Sequence, residues 1–431
     1  MLAFGASAAD IVHENWRLWQ LRRVAVYAED QTLQTQVFGA GRYEQVTLLY
    51  INQLTELALY EPREGIYLGA YIFSDAVVNG DIGRFEQLMG RHSIYKYFLE
   101  PKSDFPSDFV FESAVRGRAP FFVLQEFWDD GAIEGIAREF GYYFSPIFMQ
   151  PPKPQRDENT EDYQERFARM RETFRAHAPH VAFVYTVDVA DVDIAEDFYP
   201  GDDYVDWVGL RALASLSPRR PFKGDVLDAI EEVYFTFQAR KPMFVSIGIS
   251  RQSNYDFIYR PQLAAAELER VYTALIDEYP RIKGIIYLNL NEIRQTDPVL
   301  AQGPRQPQNI SDNYLITDDV VLKSMYREFV SHENVLDSIT ARGRDSGRVT
   351  FAQDSLTHET MRSRHSALRV GGSYYISELT LADELRIPRN RLRGRHITRY
   401  GVRYYPFASL EASGEWILQS DESHIMLVPR F

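Results

Sequence analysis

Eight short apolar runs, most of them joined through a segment of helical spacing, restrict most strongly what this 431-residue chain can become. The runs are Ile66–Phe73, Ile94–Leu99, Pro120–Gln125, Pro146–Gln150, Val181–Val187, Val205–Leu210, Pro242–Ile247 and Ile282–Leu290. They are apolar without strict alternation, as expected of strands buried on both faces of a parallel sheet. Helices are predicted over 81–90, 107–117, 131–140, 160–178, 225–240, 261–279 and 317–330. Asp81 and Ser107 are candidate N-caps, and Gly90 and Gly117 are candidate stops. A doubly wound sheet would also alternate in this way. Eight strands between Gly65 and Val330 favour closure into an α/β (β/α)8 TIM barrel, with chemistry at the C-terminal ends of the strands.

The barrel does not account for the whole chain. Ahead of it, residues 1–62 read as an N-terminal extension packing on the barrel, either two helices or a strand and a helix, with a helical or mixed apolar pattern over Ile11–Val26 and helical spacing over Val46–Leu59. The barrel is assigned to 63–335. Gly, Ser, Asp and Arg accumulate over 333–348, and 349–431 reads as a small α+β domain. There, Ser366–Ile376 forms a hairpin turning at Gly371-Gly372, with a short helix over Leu379–Leu385. A second turn lies at Gly401, with a helix over Ala408–Ala412, and a last hairpin pairs Trp416–Leu418 with His424–Val428.

The net charge of −14 argues against a phosphate-backbone partner, so no nucleic acid is expected. From Ser338 onward there are 14 Arg, no Lys and 10 acids, or +4. The remaining 33 bases and 51 acids give −18, consistent with two domains. The absence of Cys excludes disulfides and thiolate metal sites. No apolar run reaches the roughly 18 residues of a transmembrane segment. Ala6-Ser7-Ala8 has the small-x-small form of a leader cleavage site, so a secreted or cell-surface location is expected. The nine His are scattered, and no Gly-rich phosphate loop lies between a strand and a helix. No cofactor and no metal are therefore expected.

The stretch Phe198–Leu210, FYPGDDYVDWVGL, sets a Pro-Gly-Asp-Asp turn before an apolar strand. Its wording resembles glycoside hydrolase family 26, the β-mannanase family, where a similar segment leads into the sixth strand. Gly69-Ala70-Tyr71, Phe85-Glu86, Ala178-Pro179-His180-Val181, Lys241-Pro242 and Tyr279–Tyr287 resemble the same family. The resemblance implies a saccharide-binding barrel. It also implies two catalytic Glu, one in a His-Glu-Met-Asn motif after strand four and one at the end of strand seven. Here the first position reads Met149-Gln150-Pro151-Pro152-Lys153-Pro154-Gln155, and the second reads Val245-Ser246-Ile247-Gly248-Ile249-Ser250. Neither contains an acid. Retaining hydrolysis needs two carboxyls about 5–5.5 Å apart, so the expectation is a non-catalytic, carbohydrate-binding or surface-structural barrel.

The alternative is an active β-glycan hydrolase with relocated acids. Its candidates are Glu126 after strand three, Asp188 after strand five and Glu292 after strand eight. Trp128, Trp207, Asn289 and Asn291 are candidate substrate-binding residues. Trp207 reads equally well as a core aromatic, and charged residues at loop ends more often bond loops than substrates. Asp202 and Asp203 are assigned to the turn. The expected partner is a polysaccharide or cell-wall glycan. A third reading is self-assembly, an acidic barrel meeting a basic tail. The C-terminal segment resembles the small repeat named after the copper amine oxidase N-terminal domain, since Gly372-Ser373-Tyr374-Tyr375-Ile376 echoes Gly401-Val402-Arg403-Tyr404-Tyr405. That resemblance implies adhesion rather than copper binding.

Overall fold

In a computed structural model the described residues are 43–54, 57–101, 103–215, 224–295, 311–339, 357–388, 392, 396–399, 401–411, 416–420 and 424–429. The readings for Ile11–Val26, for Ala6-Ser7-Ala8 and for most of 301–313 lie outside them. The chain divides into two compact units, Leu54–Thr357 and Met1–Gln53 with His358–Phe431. No helix among the described residues is long and apolar enough to cross a membrane.

The first strand, β1 (Tyr43–Leu54), belongs mostly to the second unit. The barrel strands follow in chain order: β2 (Ile66–Tyr71), β3 (Ile94–Leu99), β4 (Ala119–Leu124), β5 (Ile147–Gln150), β6 (Val181–Asp188), β7 (Trp207–Ala214) and β8 (Met243–Ile249). After the two-residue β9 (Gln252–Ser253) comes the last barrel strand, β10 (Ile282–Leu288). Each pairs in parallel with the next, and β10 pairs with β2, from Gly284 opposite Tyr67 to Leu288 opposite Tyr71. That pairing closes the eightfold barrel and removes both sheet edges.

Helices over Ile82–Met89, Ser107–Val115, Asp130–Gly141, Thr160–His177, Val226–Phe237, Pro261–Asp277 and Val320–Val330 cover the outside. Their starts follow local chemistry. The carboxyls of Asp81, Asp129, Asp225 and Asp319 and the amide oxygen of Asn159 each accept a bond from a backbone N–H in the first turn. The expected Ser107 cap is corrected. Pro106 holds the cap position without a side-chain bond, and the Ser107 hydroxyl donates to Phe105 O instead.

Side chains alternate across each strand. One set faces the helices. The other fills the barrel with Tyr67, Ile94, Phe121, Phe148, Trp207, Phe244 and Ile286. A methyl at Gly284 would run into the Phe244 ring, so the absence of a Cβ there admits that ring. The segment 57–61 lies at the N-terminal ends of the strands. Leu59 O accepts from Trp207 Nε1 at 2.7 Å, and the Tyr60 hydroxyl donates to His180 O at 2.6 Å.

The remaining strands are β11 (Asp312–Asn313), which pairs with β9, and β12 (Val335–Leu336), which pairs with β2. The second unit contains β13 (Thr357–Arg362), β14 (Ala367–Val370), β15 (Ser373–Ser377), β16 (Ile397–Arg399), β17 (Val402–Pro406), β18 (Trp416–Ser420) and β19 (His424–Pro429). Their sheet order is β16-β17-β15-β14-β1-β19-β18, with β13 also on β1. The three expected hairpins are present, and a helix spans Phe407–Glu411. The helix expected over 46–59 is corrected. Tyr43–Leu54 is extended, antiparallel to β14 and parallel to β19. Residues 43–46 pair with β14 and 47–50 with β19, and Val46, Leu48, Leu49 and Tyr50 are buried.

Candidate functional site

In a closed parallel barrel the strand C-termini form the mouth, and inward side chains of the upper layer line it. Three of these are register neighbours: Asp188 on β6 lies opposite Arg211 on β7, and Arg211 lies opposite Ser246 on β8. They share the inward alternation of Trp207 and Phe244 lower on the same strands. Lys96 reaches the same place from β3. Its Nζ donates to Ser246 Oγ at 2.8 Å and stands 4.6 Å from the centre of the Phe121 ring. Lys153 arrives on the loop after β5, where it is flanked by the buried Pro151, Pro152 and Pro154. The Tyr163 hydroxyl donates to Pro152 O at 2.9 Å and anchors that loop. Lys153 Nζ then reaches Asp188 Oδ2 at 2.7 Å, and Arg211 Nη1 reaches the same oxygen at 2.9 Å.

Two cations therefore hold one carboxylate, and the Lys96 amine lies beside them on Ser246. Burial by itself would raise the Asp188 carboxyl, but Lys153 and Arg211 outweigh it and hold it below the ordinary range. Lys96 is 2% exposed, and its pKa is lowered well below the usual lysine value by burial first and by Arg211 and Lys153 second. Two further inward groups lie on β5 and β6. Gln150 Oε1 at the end of β5 and Thr186 Oγ1 on β6 are buried and have no hydrogen-bond partner.

The fold thus disfavours the proton that Lys96 carries in the unfolded chain. The resulting penalty is full below the folded-state pKa and fades as pH rises towards the unfolded value of about 10.4. Lys96→Met is expected to raise stability at pH 7 by about 1–3 kcal/mol, because an apolar isostere removes a poorly solvated amine. Urea unfolding between pH 7 and 10 checks this. The stability gain of the wild type with rising pH should flatten in the variant, and unchanged slopes would contradict it.

The sequence candidates meet different fates. Asp188 is at the mouth, engaged by two cations. Glu126 is exposed on the loop after β4. Glu292 Oε2 accepts from the Asp312 backbone N–H at 3.3 Å, which ties two loops together. Trp128, on the loop after β4, is partly buried against the core, and its Nε1 is buried without a partner. Trp207 is corrected. It starts β7 at the opposite end of the barrel from the mouth, is 0% exposed and bonds Leu59, so it is core. Asn289 is corrected too. It is fully buried, with Nδ2 donating to Asp75 Oδ2 at 2.7 Å and Oδ1 accepting from Ile316 N at 2.9 Å. Its amide locks the loop after β2 to the segment that follows β11. Asn291 is 5% exposed, bridges Asn313 and leaves its Oδ1 without a partner. Lys96, Gln150, Lys153, Thr186, Arg211 and Ser246 were not legible as a site. Their only local signal is a polar residue at an inward position of an apolar run, as in Ile94-Tyr95-Lys96-Tyr97-Phe98-Leu99.

A cavity of about 450 Å³ lies at the other end, where Asp206, Pro242 and Arg281 precede their strands. Its charges pair among themselves, with Arg171 2.9 Å from Asp206 and Arg240 3.0 Å from Asp202. It is a charge-paired floor, remote from the end where barrel chemistry sits.

Residues 154–229 match the family model of glycosyl hydrolase family 26. Curated protein sequences give no match. Among solved structures, a GH26 β-mannanase from Bacteroides ovatus is 13% identical, with a TM-score of 0.45, over 68% of this chain and 94% of that one. A modular endo-β-1,4-mannanase from Cellulomonas fimi is 12% identical, with a TM-score of 0.48, over 82% and 94%. A β-glucuronidase from Bacteroides uniformis is 13% identical, with a TM-score of 0.41, over 56% and 32%. The eightfold closure itself rests on the strand pairing.

Proposed function

We propose that this chain is a carbohydrate-binding barrel that lacks two-carboxylate hydrolysis, with a glycan as its ligand. The observation that carries the reading is the make-up of the mouth. Asp188 is paired by both Lys153 and Arg211, with Lys96 on the neighbouring Ser246, where a retaining mechanism needs one carboxylate to attack and another to deliver a proton. An Asp held ionised by two cations is a poor proton donor. The family 26 match over 154–229 supports saccharide as the ligand class. The cost of keeping Lys96 buried supports a binding role for this place, since strongly perturbed groups gather where a fold serves a ligand.

The test is incubation with β-mannan, galactomannan and mixed-linkage β-glucan, followed by measurement of reducing ends and of retardation in glycan-containing gels. Retardation without new reducing ends is expected. Turnover that Glu126→Gln or Glu292→Gln abolishes would replace this reading with an active hydrolase using relocated acids. A location outside the cytoplasm belongs to the same proposal, and recovery of the chain only from a cytosolic fraction would remove that part.

A further inference from the structure

We infer that the saccharide taken at the barrel mouth carries a carboxylate, held between Arg211 and Lys153 while a neighbouring hydroxyl donates to Gln150. The inference rests on the glycan-binding reading above and adds the charge class of the ligand.

The chain as a whole carries −14, so its average surface repels anions. Around Asp188 the local sign is the opposite, with Lys153 and Arg211 against one carboxylate. The side chains of Lys153, Arg211 and Asp188 are 26%, 31% and 18% exposed, so the outer faces of both cations meet solvent. Arg211 gives Nη1 to Asp188, which leaves Nε and Nη2 of its planar fork for a second acceptor. That edge matches the two oxygens of a carboxylate, and Lys153 adds a point charge beside it. Gln150 Oε1 is an independent pointer to a ligand. The residue is 3% exposed and its oxygen has no donor. Sulfate brings no donor, whereas a sugar hydroxyl does.

Calorimetric titration of the full chain with trisaccharides of galacturonate, glucuronate and mannuronate, with mannotriose and with inorganic sulfate tests this. At least one uronate is expected to bind about tenfold or more tightly than mannotriose, and to weaken as salt is added. Arg211→Gln and Lys153→Gln should each weaken uronate binding by roughly tenfold. Lys153 is partly exposed on a loop, so its variant keeps the test open if Arg211→Gln fails to fold. Asp188→Asn removes the competing carboxylate and should tighten uronate binding several-fold, a gain that mere damage to the fold would not give. Mannotriose binding as tightly as the uronates would end the inference and leave glycan binding standing. Binding of no saccharide would end both. Sulfate binding as tightly as the best uronate, or weaker binding by Asp188→Asn, would also overturn the inference.

Discussion

Arg281→Ala is expected to destabilise the barrel by about 3–5 kcal/mol, through the buried charge it leaves behind. Arg281 sits just before β10 and is 1% exposed. Its guanidinium pairs with Glu61, with both side chains 1% exposed, and its Nε donates to Gln238 O at 3.0 Å. Glu61 also accepts from Ala58 N at 2.9 Å, which holds the 57–61 segment under the strands. Removal of the guanidinium strands a carboxylate in low dielectric and bares a carbonyl. Urea unfolding should show a large fall in the midpoint. The double variant Arg281→Met with Glu61→Gln should recover part of the loss, because no unpaired charge then remains. A single-variant cost below about 1 kcal/mol, the range of exposed pairs, would mean that the pair is solvated.

Trp207→Ala is expected to cost a comparable 3–5 kcal/mol, the usual range for emptying a buried aromatic site. The indole is fully buried, stacked 4.4 Å from Phe244 and edge-on 5.6 Å from Phe148. Those rings fill the lower barrel, and Leu59 O accepts the indole N–H. Trp207→Phe keeps much of the packing and leaves that carbonyl bare, so a smaller loss of about 1–3 kcal/mol is expected. Thermal and urea unfolding of both variants give the ranking. If saccharide binding fell in Trp207→Phe while stability held, the assignment of this residue to the core would be wrong.

The two halves of the wording around Trp207 show where local reading runs out. The apolar run was legible as a strand because hydrophobic continuity is a property of neighbours. Which end of the strand Trp207 occupies depended on where pairing with β6 begins, at Val184 opposite Trp207. Two residues of register decide between mouth and floor. Asn289 likewise stood near a strand end, as read, but Asp75 and Ile316 had already taken its amide. Lys96 was visible only as a lysine in an apolar run, since its partner Ser246 lies 150 residues away.

The sequence by itself determined eight barrel strands, most of the helices between them and the Asp81 cap, because burial period and first-turn hydrogen bonding act over a few residues. It also determined that Met149–Gln155 and Val245–Ser250 hold no acid. The tertiary structure alone decided that Tyr43–Leu54 lies between strands more than 300 residues away, with Tyr43 opposite Val370. It alone decided, too, that Lys153 and Arg211 meet on Asp188. Pairing between distant strands and charge clustering across a barrel are set by which surfaces meet after closure, and no local window of residues carries that information.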